Sequence, residues 1–222
     1  MTIKGLIFDF DGLILDTETP KYQVLQEMFQ SYGAVLPLTE WSAALGGSLA
    51  SFDPLLYLQQ KVCRPLDQDQ LFQSWKLQSN ALINQQQPLP GVVQLIQQAQ
   101  QRRLKLAVAS SSPSEWVMGH LSRLGLAEFF EIILTANDVT HIKPHPELYL
   151  KAVETLQLKT SEAIALEDSP NGIKAARDAG LFCVAVLNPL TRQMNTSHAN
   201  LVIESLAGVS LDILLEKADH LQ

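Results

Sequence analysis

The stretch Leu6-Ile7-Phe8-Asp9-Phe10-Asp11-Gly12 constrains this chain more than any other. Three bulky apolar residues run into two acids two positions apart, and a glycine follows. A short apolar run bounded by a turn signal reads as a strand buried on both faces. In extended backbone, residues i and i+2 point the same way, so Asp9 and Asp11 converge on one point past the strand's end. Carboxylates there are costly unless their charge is compensated, and a divalent cation is the usual answer. In an open α/β sheet, the crevice beyond the carboxyl ends of the strands is where ligands bind. The plainer alternative is that both acids merely end a strand and cap a helix. The remaining strand ends decide between the two.

After Gly12 the pattern turns helical. A stripe of Tyr22, Leu25, Met28 and Phe29 predicts a helix from near Lys21 to Tyr32, stopped by Gly33. Leu36-Pro37 starts another turn, and Leu45-Gly46-Gly47-Ser48 reads as a loop. Asp53-Pro54 is a helix start, and a longer helix is expected over about 67–84. Gln85-Gln86-Gln87-Pro88-Leu89-Pro90-Gly91 is a polar linker. Beyond it, helix and strand alternate. Strands are expected at 104–109, 132–134, 163–166, 182–187 and 201–203. Helices are expected at 92–103, from Ser112-Pro113-Ser114-Glu115 to about 124, and at 146–156, 171–179 and 210–220. Ser112 reads as N-cap serine and Glu115 as capping-box glutamate. The alternation implies right-handed crossovers and a doubly wound parallel sheet. The fold is therefore α/β, with a Rossmann-like core over 1–16 and 88–222. An α-helical cap domain over 17–87 is inserted at the sheet's carboxyl edge, where it would act as a lid. At 222 residues, a core domain with one small insertion is what the length accommodates.

The net charge of −7 argues against a nucleic-acid binder. It does not exclude a phosphorylated substrate, because one cation and one or two lysines suffice locally. Cys63 and Cys183 stand in unrelated contexts, so no disulfide framework is expected. With neither a leader pattern nor a long apolar span, the chain is expected to be cytoplasmic, without membrane or nucleic-acid partners, and monomeric.

Four strand ends or following loops carry polar groups: Asp9 with Asp11, Ser110 with Ser111, Lys143, and Glu167 with Asp168. Asp168 meets the first acid pair if the fourth strand neighbours the first. Oxygens at a cleft suit Mg²⁺, and a hydroxyl and an ammonium suit phosphate oxygens. The set is self-consistent for phosphoryl transfer, with a carboxylate nucleophile and a second acid for proton transfer. Ser110 could equally just end its strand, and Lys143 could be a surface lysine.

Phe8-Asp9-Phe10-Asp11-Gly12 followed by Asp16-Thr17-Glu18, then Ser110, Lys143-Pro144 and Glu167-Asp168-Ser169, resembles the haloacid dehalogenase superfamily. The closest resemblance is to the subgroup with a helical cap after the first strand, which holds small-metabolite phosphatases and β-phosphoglucomutase. It implies Asp9 as nucleophile, Asp11 as general acid/base, and Ser110, Ser111 and Lys143 as phosphate ligands. It further implies Mg²⁺ on Asp9, Asp168 and the backbone carbonyl of Asp11. Glu167 is either a metal contact or an orienting group. The Lys143–Pro144 peptide is implied to be cis. Asp11 disfavours the dehalogenases of the superfamily, which lack the second acid. Lys21 stands where the mutase has a histidine, which disfavours the mutase. The expected function is a Mg²⁺-dependent phosphatase for a small phosphorylated metabolite, a sugar or nucleoside phosphate. The alternatives are a β-phosphoglucomutase-type mutase and a non-catalytic binding protein on the same fold. Lys21, Lys76 and the loop around Gly47 are candidate specificity residues. Trp41, Phe52, Tyr57, Phe72 and Trp75 read as cap core. Asn171 reads as the cap of its helix rather than a contact to the metal shell, His145 sits between prolines in a loop, and His141, near the expected site, has no evident partner.

Overall fold

A computed structural model describes residues 2–41 and 52–221. The opening apolar run becomes β1 (Gly5–Phe8), buried at every position. β2 (Lys105–Ala109), β3 (Ile132–Leu134), β4 (Ala163–Glu167), β5 (Phe182–Val186) and β6 (Leu201–Ile203) join it. The sheet order is β3-β2-β1-β4-β5-β6, and every neighbouring pair is parallel. β1 thus lies between β2 and β4, where the strand order reverses and a crevice opens at the carboxyl end. That is the condition the sequence set for Asp168 to reach the first acid pair.

Between β1 and β2 the chain builds α1 (Glu18–Ser31), α2 (Leu38–Trp41), α3 (Pro54–Val62) and α4 (Gln68–Ile83). Asp53 caps α3 as expected, accepting from the N–H groups of Leu55 and Leu56, and Asp67 caps α4 by accepting from that of Gln70. The block has its own apolar cluster, in which Leu25, Phe29, Trp41, Leu58 and Trp75 are buried. Trp75 ties α4 to α1 by donating its indole N–H to the Lys21 carbonyl at 3.1 Å. The two connections to the block pair with each other. Leu15 bridges Pro88, and Leu89 N–H donates to the Ile14 carbonyl at 2.9 Å.

α5 (Val92–Gln101), α6 (Ser114–Arg123), α7 (Glu147–Thr155), α8 (Pro170–Asp178) and α9 (Leu211–Leu221) cover the sheet. Period-2 alternation sorts side chains by size between its faces. Leu6, Phe8, Leu106, Val108, Ile164 and Leu166 face α5, α6 and α9. Ala107, Ala109, Ala163, Ala165, Cys183 and Ala185 face the other way, with Ile7. The small residues let α7 and α8 sit close, and Leu148, Tyr149 and Ile173 fill the space above them. The glutamines of α5 point outward while Val92, Leu95, Ile96 and Ala99 are buried, as expected of a solvated helix face.

Two helix starts differ from expectation. The N-cap of α6 is Pro113, with no side-chain cap, and Ser112 is spent elsewhere. The N-cap of α8 is Ser169, whose hydroxyl accepts from Gly172 N–H at 3.1 Å, so Asn171 lies inside the helix. Among the described residues, no helix is long and apolar enough to cross a membrane.

Candidate active site

Asp9 follows β1 directly, and its N–H donates to the Leu166 carbonyl of β4 at 2.9 Å. That bond fixes it between two strand ends. Lys143, 3% exposed, donates to Asp9 Oδ1 at 2.5 Å and to Glu167 Oε1 at 2.6 Å. The Lys143–Pro144 peptide is cis. Glu167 is fully buried at the end of β4 and also accepts from the Tyr149 hydroxyl at 2.6 Å and from Asp168 N–H at 3.1 Å. The Lys143 ammonium lies 5.1 Å from the centroid of the Tyr149 ring, so Tyr149 supports both partners from below. Asp168 Oδ2 accepts from Asn188 Nδ2 at 2.7 Å, and the same amide reaches the Gly12 carbonyl at 3.0 Å.

Asp11 lines the same space with different partners. Its Oδ1 accepts from Thr17 Oγ1 at 2.8 Å and from Trp116 Nε1 at 2.9 Å. Its Oδ2 accepts from Ser112 Oγ at 2.6 Å and from Ser110 Oγ at 3.4 Å. Ser112 therefore holds the second acid rather than capping α6. Ser111 Oγ accepts from Lys143 N–H at 3.3 Å, which joins the loop after β2 to the lysine loop. The convergence expected of Asp9 and Asp11 is thus onto one cavity, with two separate sets of partners.

Two glycines make room for this cluster. Gly12 has φ +84°, and a Cβ there would stand 2.2 Å from Asp168 Oδ2. A Cβ on Gly172 would stand 2.0 Å from the Glu167 carboxylate. Glu167 cannot swing aside cheaply, because Lys143 and Tyr149 both hold it. Gly172→Ala is therefore expected to lower stability by about 1–3 kcal/mol, the usual cost of overpacking. It should also lower activity, by moving Glu167 against Lys143. Thermal unfolding and phosphate release check this, and a variant matching wild type in both would refute it.

Among the described residues, Asp9, Glu167 and Asp168 each offer an oxygen within 4.8 Å of the others. One ammonium faces these three buried carboxylates. Burial pushes the Asp9 carboxyl up to about 8, against the pull of Lys143. Asp168 is held well above the carboxylate range by burial, then by the charges of Asp9 and Glu167. Burial works against the Lys143 charge as well, but Asp9 and Glu167 outweigh it and raise it above the ordinary lysine range. Lysine therefore keeps its proton, and the surplus negative charge is the costly part. Hard oxygen donors with uncompensated negative charge, and a missing Cβ at Gly12 beside Asp168, fit a hard dication such as Mg²⁺.

A cavity of about 920 Å³ opens in front of these groups, between the helical block and α6. Every described candidate residue except Glu167, which lies beneath the site, lines it. Lys21 pairs with Glu18 at 2.8 Å and stands 5.6 Å from the Trp116 ring. Burial opposes its charge, but Glu18 and Asp11 raise it. Lys76 lines the cavity from α4 and is exposed. Gly47 lies outside the described residues. Trp41 and Trp75 are buried as expected, but Phe72 is 38% exposed and faces the cavity. Helical spacing placed it on the stripe of Trp75 without showing that the stripe's outer edge meets open space. Sequence reasoning missed Trp116, Tyr149 and Asn188. Asn188 follows β5 and could have been found as one more polar strand end. Trp116 and Tyr149 carry no such signal, since an aromatic on an amphipathic helix reads as core.

A parallel sheet with an acid at the end of its central strand, flanked by lysine and a second acid pair, defines a class of hydrolase. The family model described as haloacid dehalogenase-like hydrolase matches residues 6–186, and the chain belongs to that family. It is 43% identical over 219 residues to a Bacillus subtilis protein named "Putative phosphatase YhcW", covering 99% of this chain and 98% of that one. It is 31% identical over 187 residues to the Escherichia coli fructose-1-phosphate phosphatase YqaB, covering 82% of this chain and 95% of that one. The structure of β-phosphoglucomutase from Clostridium difficile superposes with a TM-score of 0.78 at 26% identity, over 99% of this chain and 98% of that one. With phosphatases among its relatives and an acid–lysine site intact, the chain is an enzyme of the family's phosphatase type.

Proposed function

We propose that this enzyme is a Mg²⁺-dependent phosphatase that hydrolyses a small phosphorylated metabolite, a sugar or nucleoside phosphate, through an aspartyl-phosphate. One observation carries the reading. Asp9 stands at the end of the central strand with Lys143 on one oxygen and an open cavity before it, while Asp11 lines that cavity on independent partners. In the first step Asp9 attacks phosphorus and the bond to the leaving oxygen breaks. Asp11 gives its proton to that oxygen. In the second step Asp11 takes a proton from the water that attacks the aspartyl-phosphate, and phosphate leaves with Asp9 restored. Lys143, Ser110 and Ser111 hold the phosphoryl oxygens. Asp9, Glu167, Asp168 and the Asp11 carbonyl would hold Mg²⁺, which supplies positive charge against the developing negative charge.

Residues 17–87 act as a cap domain over a core of 1–16 and 88–222, and the paired connections at Leu15 and Pro88 support a single point of attachment. Lys21 and Lys76 read the leaving group, with Phe72 and Trp116 as apolar walls. The test is phosphate release from a panel of sugar, nucleotide and small-acid phosphates, with Mg²⁺ and with chelator. Release that requires Mg²⁺ supports the reading, and no release from any substrate overturns it. The likeness to β-phosphoglucomutase motivates one added arm, β-glucose 1-phosphate with a trace of the bisphosphate. Glucose 6-phosphate in place of free phosphate would favour a mutase.

The acid cluster also sets a pH dependence for the metal-free protein. Asp9 titrates at about 8 when folded against an ordinary value of 3.8, so the folded state binds its proton more tightly. Its stabilising effect is complete below about pH 4 and is lost as pH rises towards 8. In chelator the thermal midpoint is expected to fall across that window. Mg²⁺ should raise it more at pH 8 than at pH 5, because metal and proton compete for the same oxygens. A midpoint independent of Mg²⁺ at pH 8 contradicts this.

A further inference from the structure

The loop that carries Lys143 holds a second cluster on its outer side. His141, His145 and Glu147 each present a ligand atom within 4.8 Å of the others, all away from the acid cluster. His141 Nδ1 lies 3.0 Å and His145 Nδ1 3.8 Å from the same oxygen, Glu147 Oε2. The two imidazole rings are 4.7 Å apart between centroids. We propose that His141, His145 and Glu147 form a separate site for a borderline-soft dication of the Zn²⁺ class, which clamps the Lys143 loop to the first turn of α7.

Ligand atoms bound to a tetrahedral zinc at ~2.1 Å stand about 3.4 Å from one another. The two nitrogen–oxygen separations bracket that value, so small side-chain movements close the site. Glu147 is held in place beforehand. Its Oε1 accepts from Thr140 N–H at 2.8 Å and its Oε2 from His141 N–H at 3.0 Å. The Thr140 bond leads in keeping its carboxyl below the usual range, so it is ionised and ready as a ligand. His145 Nδ1 accepts only a long bond, from Glu147 N–H at 3.3 Å, so its lone pair already faces the Glu147 end of the cluster and an ion at Nδ1 takes that bond's place. Two imidazoles and one carboxylate select zinc, cobalt or nickel over Mg²⁺, and the acid cluster has the opposite preference. His141 and His145 are exposed, so an ion reaches them without opening the fold. The two histidines flank Lys143 at two residues on either side. Occupancy therefore fixes the backbone from which the buried ammonium projects.

The test adds Zn²⁺ to the full chain in excess Mg²⁺ and counts imidazole ligands by X-ray absorption. Wild type and Asp9→Asn should each hold one zinc per chain with two imidazoles. The double variant H141Q/H145Q should lose that equivalent, and its exposed substitutions leave the fold intact. Hydrogen exchange over 140–147 should slow on zinc addition in wild type and not in the double variant. Zinc with only oxygen neighbours, or an unchanged imidazole count in H141Q/H145Q, overturns the proposal. It does not depend on phosphatase turnover, so failure of either reading leaves the other standing.

Discussion

Asp9→Asn is expected to abolish phosphate release while leaving a folded protein. The amide keeps the shape of the carboxyl but cannot form the phosphoryl ester. Removing a nucleophile of this kind costs on the order of 10⁴-fold or more in rate. Stability should move little, and the reason is electrostatic. Burial already favours a neutral group at Asp9, and Lys143 keeps Glu167 as its ion-pair partner. In chelator at pH 8 the variant should be at least as stable as wild type, since one buried negative charge is gone. Phosphate release and thermal midpoints, measured on the same preparations, separate loss of chemistry from loss of fold. Activity within tenfold of wild type would remove Asp9 from the mechanism.

The parts of this site that were legible in sequence are those whose role is fixed by one strand end. Asp9, Ser110 and the Glu167–Asp168 pair each follow an apolar run, and burial on both faces makes such runs strands with little ambiguity. Lys143 was found from its loop, and the parallel order β2-β1-β4 then brings all four together. The residues that escaped are those whose role depends on which helix face meets which strand end. Trp116 sits one turn after Ser112, and nothing local says that its N–H meets Asp11. Ser112 before Pro113 looks like a helix cap, because a serine there usually has nothing better to bind. Here a carboxylate distant in sequence offers a charged acceptor, and the tertiary contact wins. Phe72 was misplaced for a related reason, since periodicity gives a stripe but not its edge. His141 lacked a visible partner because Glu147 reaches it only when the loop folds back on the start of α7.

Lys143→Met is expected to be the most destabilising single change in the acid cluster. Methionine fills much of the same volume, so the loss is of charge rather than packing. Breaking a buried ion pair by removing one partner costs about 3–5 kcal/mol, because the other partner is left uncompensated. Here Asp9 and Glu167 share that one ammonium, and Asp168 stands beside them as a third buried carboxyl. Their remaining relief is to take up protons, and they do so more readily at low pH. The folded variant then binds protons more strongly than the unfolded chain, so its deficit should grow from pH 5 to pH 8. Mg²⁺ should recover part of the stability at pH 8, since it supplies charge to the same oxygens. It should not recover activity, which is expected to fall by about 10²–10³-fold, because the phosphoryl oxygens lose a fixed donor. Urea midpoints at both pH values, with and without Mg²⁺, measure all of this. An unchanged midpoint at pH 8 in chelator would mean that the carboxylates do not carry unbalanced charge, and the electrostatic case for a metal would fall with it.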